Sequence, residues 1–200
     1  MIESKILGLF PTPVYISELN RPLTIEENFF IEKTKLDVHN NEGNKTSNDN
    51  YILNNKEFKD IKQELNLRVQ DYFDKIISTT NNVTPYITQS WLNYTETNQY
   101  HHKHAHANSL VSGVFYIDCK KEYDKIIFFK NIYNPIKLDT KEFNEFNSES
   151  WYVEVNTGQI VLFPSHLEHM VQIKKGNNTR ISLAFNVFVK GTLGNKKKIN

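Results

Sequence analysis

The feature that most constrains this chain is a succession of short segments with strand composition that fills its second half. Each segment is rich in β-branched and aromatic residues and is separated from the next by turn residues. We predict strands at residues 86–94, 110–118, 125–130, 151–155, 159–163, 169–173 and 181–189. Because this many short strands follow a helical start, the sequence predicts a mainly β protein, an antiparallel sandwich or jelly roll backed by N-terminal helices.

The first third of the chain predicts an opening strand and two helices. Residues 13–16 have strand composition, and Thr24 is placed to cap a helix that runs to about residue 37. Between residues 56 and 78, apolar side chains recur at intervals of three and four. This spacing predicts a helix with one apolar face, which would pack against the sheet.

No internal repeat and no linker rich in Pro, Gly or Ser divides the 200 residues, so we predict a single domain, 1–200. Residues 1–82 are its strand and helical support region, residues 83–190 its β core and residues 191–200 a basic tail. Two polar segments, 39–51 and 131–150, are predicted to be loops, and the second is a candidate lid over a site.

Charge and composition exclude several classes of protein. With 24 Lys and Arg against 23 Asp and Glu, the chain lacks the basic excess of a general nucleic-acid or anionic-membrane binder. No apolar run approaches the ~20 residues that span a bilayer, and the N-terminus makes a poor signal peptide. The only cysteine, Cys119, excludes a disulfide framework and fits a reducing compartment. We therefore expect a cytoplasmic protein without membrane or nucleic-acid partners.

Histidine is concentrated in two short stretches of the sequence. Four of the seven histidines lie within residues 101–106, and two more are His166 and His169. In an extended segment, residues two apart face the same side, so His104 and His106 would present two imidazoles to one metal ion. We expect the third ligand to be His169, at the start of an apolar strand, and we expect His166 in a turn at the rim.

Two alternatives remain open from the residues alone. His102 has the same parity as His104, so these two form a competing pair of ligands. A His-rich tract can also be a solvated loop or a weak, accidental metal site. The position of the second cluster, directly after the predicted buried strand 159–163, favours a built site.

The segment that begins at Arg180 alternates between polar and apolar residues. By parity, one face carries Arg180, Ser182, Ala184 and Asn186, and the other carries Ile181, Leu183 and Phe185. On an edge strand, a polar face needs no special explanation. On an inward face, Arg180 would bind a carboxylate through two parallel hydrogen bonds while the Ser182 hydroxyl donates another.

Several of these segments match a known family in the same order along the chain. They are Trp91-Leu92-Asn93, His104-Ala105-His106-Ala107-Asn108-Ser109, Ser112-Gly113-Val114-Phe115-Tyr116, residues 158–164, His169-Met170-Val171, Arg180-Ile181-Ser182 and Phe185-Asn186. Over about residues 85–190 the chain thus resembles the 2-oxoglutarate- and Fe(II)-dependent oxygenases, above all a group found in bacteria and phages. No single motif is highly specific, and the ordered set is much more specific than any one of them.

This resemblance implies a double-stranded β-helix, the cupin-like jelly roll, with Fe(II) held in its mouth by His104, His106 and His169. It implies that the cosubstrate 2-oxoglutarate chelates the metal through its 1-carboxylate and 2-oxo group. The far carboxylate would then meet Arg180 and Ser182. The chain would be a dioxygenase that uses O2 to hydroxylate an unidentified protein side chain or small molecule, with release of succinate and CO2.

One position departs from the family's usual pattern. The common ligand set is two histidines and one carboxylate, but the second ligand position here is His106. Members of the resembling group also tend to carry this variant. Three neutral imidazoles leave the charge of the metal uncompensated, which makes it a stronger Lewis acid and also favours zinc.

Three further residues are candidates for the cosubstrate pocket. Tyr116 shares the predicted inward face of its strand with the histidines, so its hydroxyl would hydrogen-bond the cosubstrate, although an ordinary core tyrosine fits equally well. Asn93 and Asn186 lie on the strands of Trp91 and Arg180. Trp91 itself is expected in the core.

Two other functions fit part of the sequence. A cupin with another reaction shares the spacing of Gly158, Pro164 and His169, but the glutamate expected after the second histidine is missing. Arg180 with Ser182 also has no cupin counterpart. The second alternative is a non-enzymatic jelly-roll module whose histidines bind a structural metal or nothing. A structural metal site would need a fourth protein ligand, for which His102 and His166 are candidates.

Overall fold

A computed structural model describes residues 2–131, 135–136 and 138–194 of the chain. The helices of this part are α1 (Ile25–Thr34) and α2 (Lys59–Tyr72), the latter preceded by two short 3₁₀ turns (Ile52–Asn54 and Lys56–Phe58) and followed by a π-helical turn (Phe73–Ile77). The strands are β1 (Tyr15–Glu18), β2 (Val38–Asn40), β3 (Lys45–Ser47), β4 (Val83–Thr95), β5 (His101–His104), β6 (Val111–Asp118), β7 (Lys125–Phe129), β8 (Ser150–Glu154), β9 (Gln159–Pro164), β10 (His169–Val171) and β11 (Arg180–Gly191).

These strands form two sheets with antiparallel pairing. The larger sheet has the order β1-β9-β6-β11-β4-β3-β2, and the smaller one has the order β5-β10-β7-β8. A hydrophobic cluster that includes Tyr116 and Phe163 of the larger sheet and Ile126 and Phe128 of the smaller one holds the two sheets together. The predicted mainly β jelly-roll architecture is therefore confirmed.

The N-terminal helices pack on the larger sheet, as predicted. Ile31 of α1 and Ile61, Leu65 and Val69 of α2 are buried in the same cluster as the apolar residues of β11. The first helix begins where the sequence places it, because Thr24 and Glu27 form a reciprocal capping box. The apolar face of β11 therefore belongs to the helix side of the sheet and leaves its polar face for the other side.

The register of three neighbouring strands gathers polar residues on that other side. Ser182 of β11 lies opposite Asn93 of β4 and Tyr116 of β6, and Arg180 lies opposite Thr95. Directly opposed residues of an antiparallel pair project from the same face of the sheet. The fold thus places four predicted site residues side by side before any ligand is considered.

Residues 39–51 are not the loop that their polar composition predicts. Residues 38–40 and 45–47 form the β2–β3 hairpin, which extends the larger sheet because Thr46 pairs with Asn93 of β4. Gly43 makes the turn with a φ of 91°, and its carbonyl accepts a hydrogen bond from the Tyr100 N–H at 3.0 Å. This pairing depends on tertiary contacts, so the local sequence does not reveal it.

The remaining expectations on organisation have mixed outcomes. The described residues of the candidate lid, 131, 135–136 and 138–149, form no helix or strand, while 132–134 and 137 lie outside the described part. The basic tail also lies largely outside it. The division into support region and core stays a prediction.

No helix in the described part of the chain is long and apolar enough to cross a membrane. The cytoplasmic location remains an expectation from the single cysteine, Cys119.

The close packing of the larger sheet gives a first testable prediction, at Gly113. A Cβ atom at this position would lie 2.2 Å from Cζ of Phe185 and 2.7 Å from Cδ2 of Leu162. We expect Gly113→Ala to lower the free energy of unfolding by about 1–3 kcal/mol, as measured by urea denaturation. Gly8→Ala is the control, because the nearest atom to its new Cβ would be 3.8 Å away. Equal stability of the two variants would contradict the packing.

Candidate active site

Three histidine side chains from two distant segments meet at one point. His104 ends β5 and lies opposite His169, the first residue of β10. His106 follows just beyond β5, where its backbone N–H donates a hydrogen bond to the Ser165 carbonyl at 2.9 Å. One ring nitrogen from each of the three lies within 4.8 Å of the other two. This arrangement suits one metal ion at nitrogen–metal distances of about 2.0–2.2 Å.

Backbone carbonyls orient two of these rings. Nδ1 of His104 lies 2.8 Å from the His102 carbonyl oxygen, and Nδ1 of His169 lies 3.0 Å from that of Leu167. An imidazole that donates through Nδ1 keeps its Nε2 lone pair free for a metal. The two rings are therefore held in the tautomer that a metal ligand requires.

Burial keeps the three rings neutral. Burial lowers the pKa of His169 to about 3 and the pKa of His106 to about 4, and the neighbouring His104 adds to both shifts. Burial also lowers the pKa of His104, although its bond to the His102 carbonyl opposes the shift. All three imidazoles are therefore unprotonated near neutral pH, which is the form that binds a metal ion.

A second set of three imidazoles shares one of these rings. Nitrogens of His101, His102 and His104 also lie within 4.8 Å of one another, and the His101 ring stacks on the His104 ring at 4.7 Å between centroids. Because the His102 carbonyl engages Nδ1 of His104, the remaining Nε2 serves one metal position at a time. The competing ligand pair from the sequence is thus still available. His166 is exposed, lies in the turn after β9 and belongs to neither set.

A small cavity connects the three imidazoles with Arg180. Its volume is about 40 Å³, and its lining includes Ser182, Tyr116 and Asn93 as well as Arg180 and the histidines. This cavity is too small for a molecule the size of 2-oxoglutarate, which would fit only if some of the lining side chains moved outward. The cavity and a wider opening of about 260 Å³ share Trp91, His101, His104 and His106.

The guanidinium of Arg180 is buried and paired. Nη1 of Arg180 lies 3.2 Å from Oδ1 of Asp124, and Nζ of Lys174 lies 3.5 Å from Oδ2 of the same carboxylate. The side chains of Asp124 and Lys174 are fully buried, and that of Arg180 is 3% exposed. Two cations and one anion thus share one buried region. Sequence reasoning missed Asp124 and Lys174, because each stands among ordinary surface charges in the sequence.

Two predicted positions differ from expectation. Asn186 shares the polar face of β11 but does not line the cavity, and its Oδ1 accepts a hydrogen bond from Ser112 Oγ at 2.9 Å. The register between β11 and β4 shifts between Phe185 and Val187, while Asn186 stays paired with Ser112 of β6. Trp91 is half-buried and lines the cavity instead of the core. His101, which no sequence argument singled out, lines it as well.

Part of this chain matches a known protein family, and solved structures share its fold. Residues 89–186 match a family model described as "Putative 2OG-Fe(II) oxygenase". No curated protein matches the chain.

Solved structures share the fold at low sequence identity. One is HygX from Streptomyces hygroscopicus with nickel and 2-oxoglutarate bound, with a TM-score of 0.61 and 12% identity over 88% of this chain and 82% of that one. A Pseudomonas putida prolyl-4-hydroxylase has a TM-score of 0.56 and 10% identity over 88% and 92%. A 2OG-Fe(II) oxygenase family oxidoreductase from Burkholderia pseudomallei has a TM-score of 0.55 and 12% identity over 87% and 83%. The family match over residues 89–186 and the shared fold confirm the resemblance of this chain to the 2-oxoglutarate- and Fe(II)-dependent oxygenases.

Proposed function

We propose that this protein binds Fe(II) and 2-oxoglutarate and uses O2 to hydroxylate a substrate, with release of succinate and CO2. The observation that carries the proposal is one cavity that is lined both by three converging imidazoles and by a buried guanidinium. The Pseudomonas putida neighbour is a prolyl-4-hydroxylase, which favours hydroxylation as the type of reaction. The substrate itself is a protein side chain or a small molecule.

The residues present fit a metal ion of this kind. His104, His106 and His169 would hold it, because their nitrogens converge, their rings are neutral, and backbone carbonyls orient the rings of His104 and His169. Bound Fe(II) would supply the activation of O2 that no side chain provides. The ligand set contains no carboxylate, so the negative charge at the metal would come from the cosubstrate. Since neither His102 nor His166 joins this set, a metal held by the three histidines would keep positions open for other ligands, as a catalytic metal needs.

The rest of the cavity would bind and position the cosubstrate. Arg180 and Ser182 would donate hydrogen bonds to its far carboxylate, because both line the cavity and lie on the same face of β11. Tyr116 is buried beside Ser182, and its phenol would donate a further bond. Asn93 also lines the cavity, and because its Oδ1 accepts a hydrogen bond from Thr46 Oγ1 at 3.1 Å, its Nδ2 would be the atom that donates to the cosubstrate.

The primary substrate would reach the metal through the wider opening. Its lining combines the Trp91 ring with polar, uncharged side chains such as Gln89 and with five histidines: His39, His101, His102, His104 and His106. The β2–β3 hairpin forms one wall through Thr46. Because Trp91, His101, His104 and His106 line both spaces, a substrate group in the opening would lie next to the metal ligands.

Anaerobic spectroscopy tests this function. Fe(II) and 2-oxoglutarate together should give the wild-type protein a weak charge-transfer absorption band in the visible range, and Fe(II) alone should not. We expect Arg180→Met to raise the dissociation constant of 2-oxoglutarate by about 10- to 100-fold, because a charge-assisted pair of hydrogen bonds is lost. Fe(II) affinity should stay unchanged. Arg68→Met, at a surface arginine paired with Glu64, is the matched control.

The same experiment separates the alternatives. A cupin with another reaction would bind the metal, but 2-oxoglutarate would produce no band, and Arg180→Met would have no effect. A non-enzymatic module would bind a metal without consuming O2 or 2-oxoglutarate. Either result would contradict the proposed function.

A further inference from the structure

The pairing of Arg180 bears on how this side chain would attract an anion. Its Nη1 donates to Asp124 Oδ1 at 3.2 Å, and both side chains are buried. In a buried region, an ion pair has almost no net charge with which to attract a further carboxylate. Arg180 and Asp124 alone would therefore form a weak site for an anionic ligand.

Lys174 changes this balance of charge. Its side chain is fully buried, and its Nζ lies 3.5 Å from Asp124 Oδ2, 3.0 Å from Asn178 Oδ1 and 3.2 Å from the Lys175 carbonyl oxygen. Its backbone is fixed on both sides, because its N–H donates to the Gln99 carbonyl and its carbonyl accepts from the Asn98 N–H. Lys174 does not line the cavity, so it would act on a ligand only through Asp124 and Arg180.

Asp124 is held in place between these two cations. The backbone N–H of Lys120 donates to its Oδ2 at 2.8 Å, and Asp124 immediately precedes β7. The carboxylate therefore gives Arg180 a fixed partner, which limits the orientations of the guanidinium. The three side chains together carry one net positive charge.

We propose that Lys174 is a positioning and specificity residue for the far carboxylate of 2-oxoglutarate. Lys174 offsets the charge of Asp124, so Asp124 can anchor Arg180 without cancelling the positive charge that binds the cosubstrate. The inference rests on the proposed function, since it takes 2-oxoglutarate as the ligand of this cavity. It adds two residues to the site that do not touch the ligand.

Variants that change the net charge of Arg180, Asp124 and Lys174 test this inference. The three side chains carry +1 in the wild type, 0 in Lys174→Met, and +1 again in the double variant Asp124→Asn/Lys174→Met. We expect Lys174→Met to raise the dissociation constant of 2-oxoglutarate, measured anaerobically with Fe(II), by about 10-fold or more, because charges interact strongly in a buried site. The double variant should return to within about fivefold of wild type.

Two controls separate charge from structural damage. Lys175→Met removes the same charge from the next residue, whose exposed side chain is screened by water, and should leave the dissociation constant unchanged. 2-Oxobutyrate has the chelating groups of 2-oxoglutarate and no far carboxylate, so its affinity should be the same in the wild type and all variants. Fe(II) affinity should also be the same throughout.

Several outcomes would overturn the inference. Unchanged 2-oxoglutarate affinity in Lys174→Met would show that the lysine charge does not reach the ligand. An equal loss for 2-oxobutyrate, or no recovery in the double variant, would show a structural role only. If Lys174→Met does not fold, weak 2-oxoglutarate binding by the double variant overturns the proposal, and wild-type-like binding supports it. A wild-type protein that binds Fe(II) without 2-oxoglutarate would instead refute the proposed function itself.

Discussion

We expect His169→Ala to abolish metal-dependent turnover of 2-oxoglutarate and to weaken metal binding by more than about 100-fold. Loss of a partner outside the ligand set typically costs 10- to 100-fold in metal affinity, so loss of a ligand should cost more. His169 is also the proposed ligand that links the second segment to the first, because it lies opposite His104 across β5 and β10. Metal titration and measurement of succinate release test this expectation. We expect the same loss for His104→Ala and His106→Ala.

His166→Ala is the matched control for His169→Ala. His166 lies three residues away in the turn before β10, is exposed and belongs to neither set of converging imidazoles. Its removal should leave metal affinity and turnover at wild-type values. Normal succinate release from His169→Ala would overturn the ligand assignment. Loss of turnover in His102→Ala, with His106→Ala unaffected, would favour the competing set of His101, His102 and His104.

The sequence predicts most of the fold because its regular elements have strong local patterns. The apolar spacing of α2, the Thr24 cap of α1 and the alternation along β11 all correspond to observed elements. The alternation along β11 also separates the face that packs on the helices from the face that carries Arg180 and Ser182. Along α2 and β11 the periodicity of apolar residues marks the buried face, and at α1 the Thr24 cap marks the first turn, so each signal can be read from the sequence alone.

Other features depend on contacts between distant residues and leave no local signal. The β2–β3 hairpin exists because β3 pairs with β4, and its own residues are polar. Parity predicts His104 and His106 on one straight strand, but β5 ends at His104 and a hydrogen bond to Ser165 fixes the backbone of His106. Asp124 becomes a partner of Arg180 only when the start of β7 meets the start of β11. Parity along one segment cannot predict such positions.

The largest effect on stability is expected at Phe185, on the helix side of β11. Its ring is fully buried in the main core, so Phe185→Ala should lower the free energy of unfolding by about 3–5 kcal/mol in urea denaturation. Phe188→Ala is the control on the same strand, because that side chain is 37% exposed and its loss should lower the free energy of unfolding by about 1 kcal/mol or less.

The Phe185 ring also occupies the space beside Gly113, so Gly113→Ala should lower the free energy of unfolding less in the Phe185→Ala background than in the wild type. Additive effects of the two substitutions, or a loss at Phe185 no larger than at Phe188, would contradict this packing of the core.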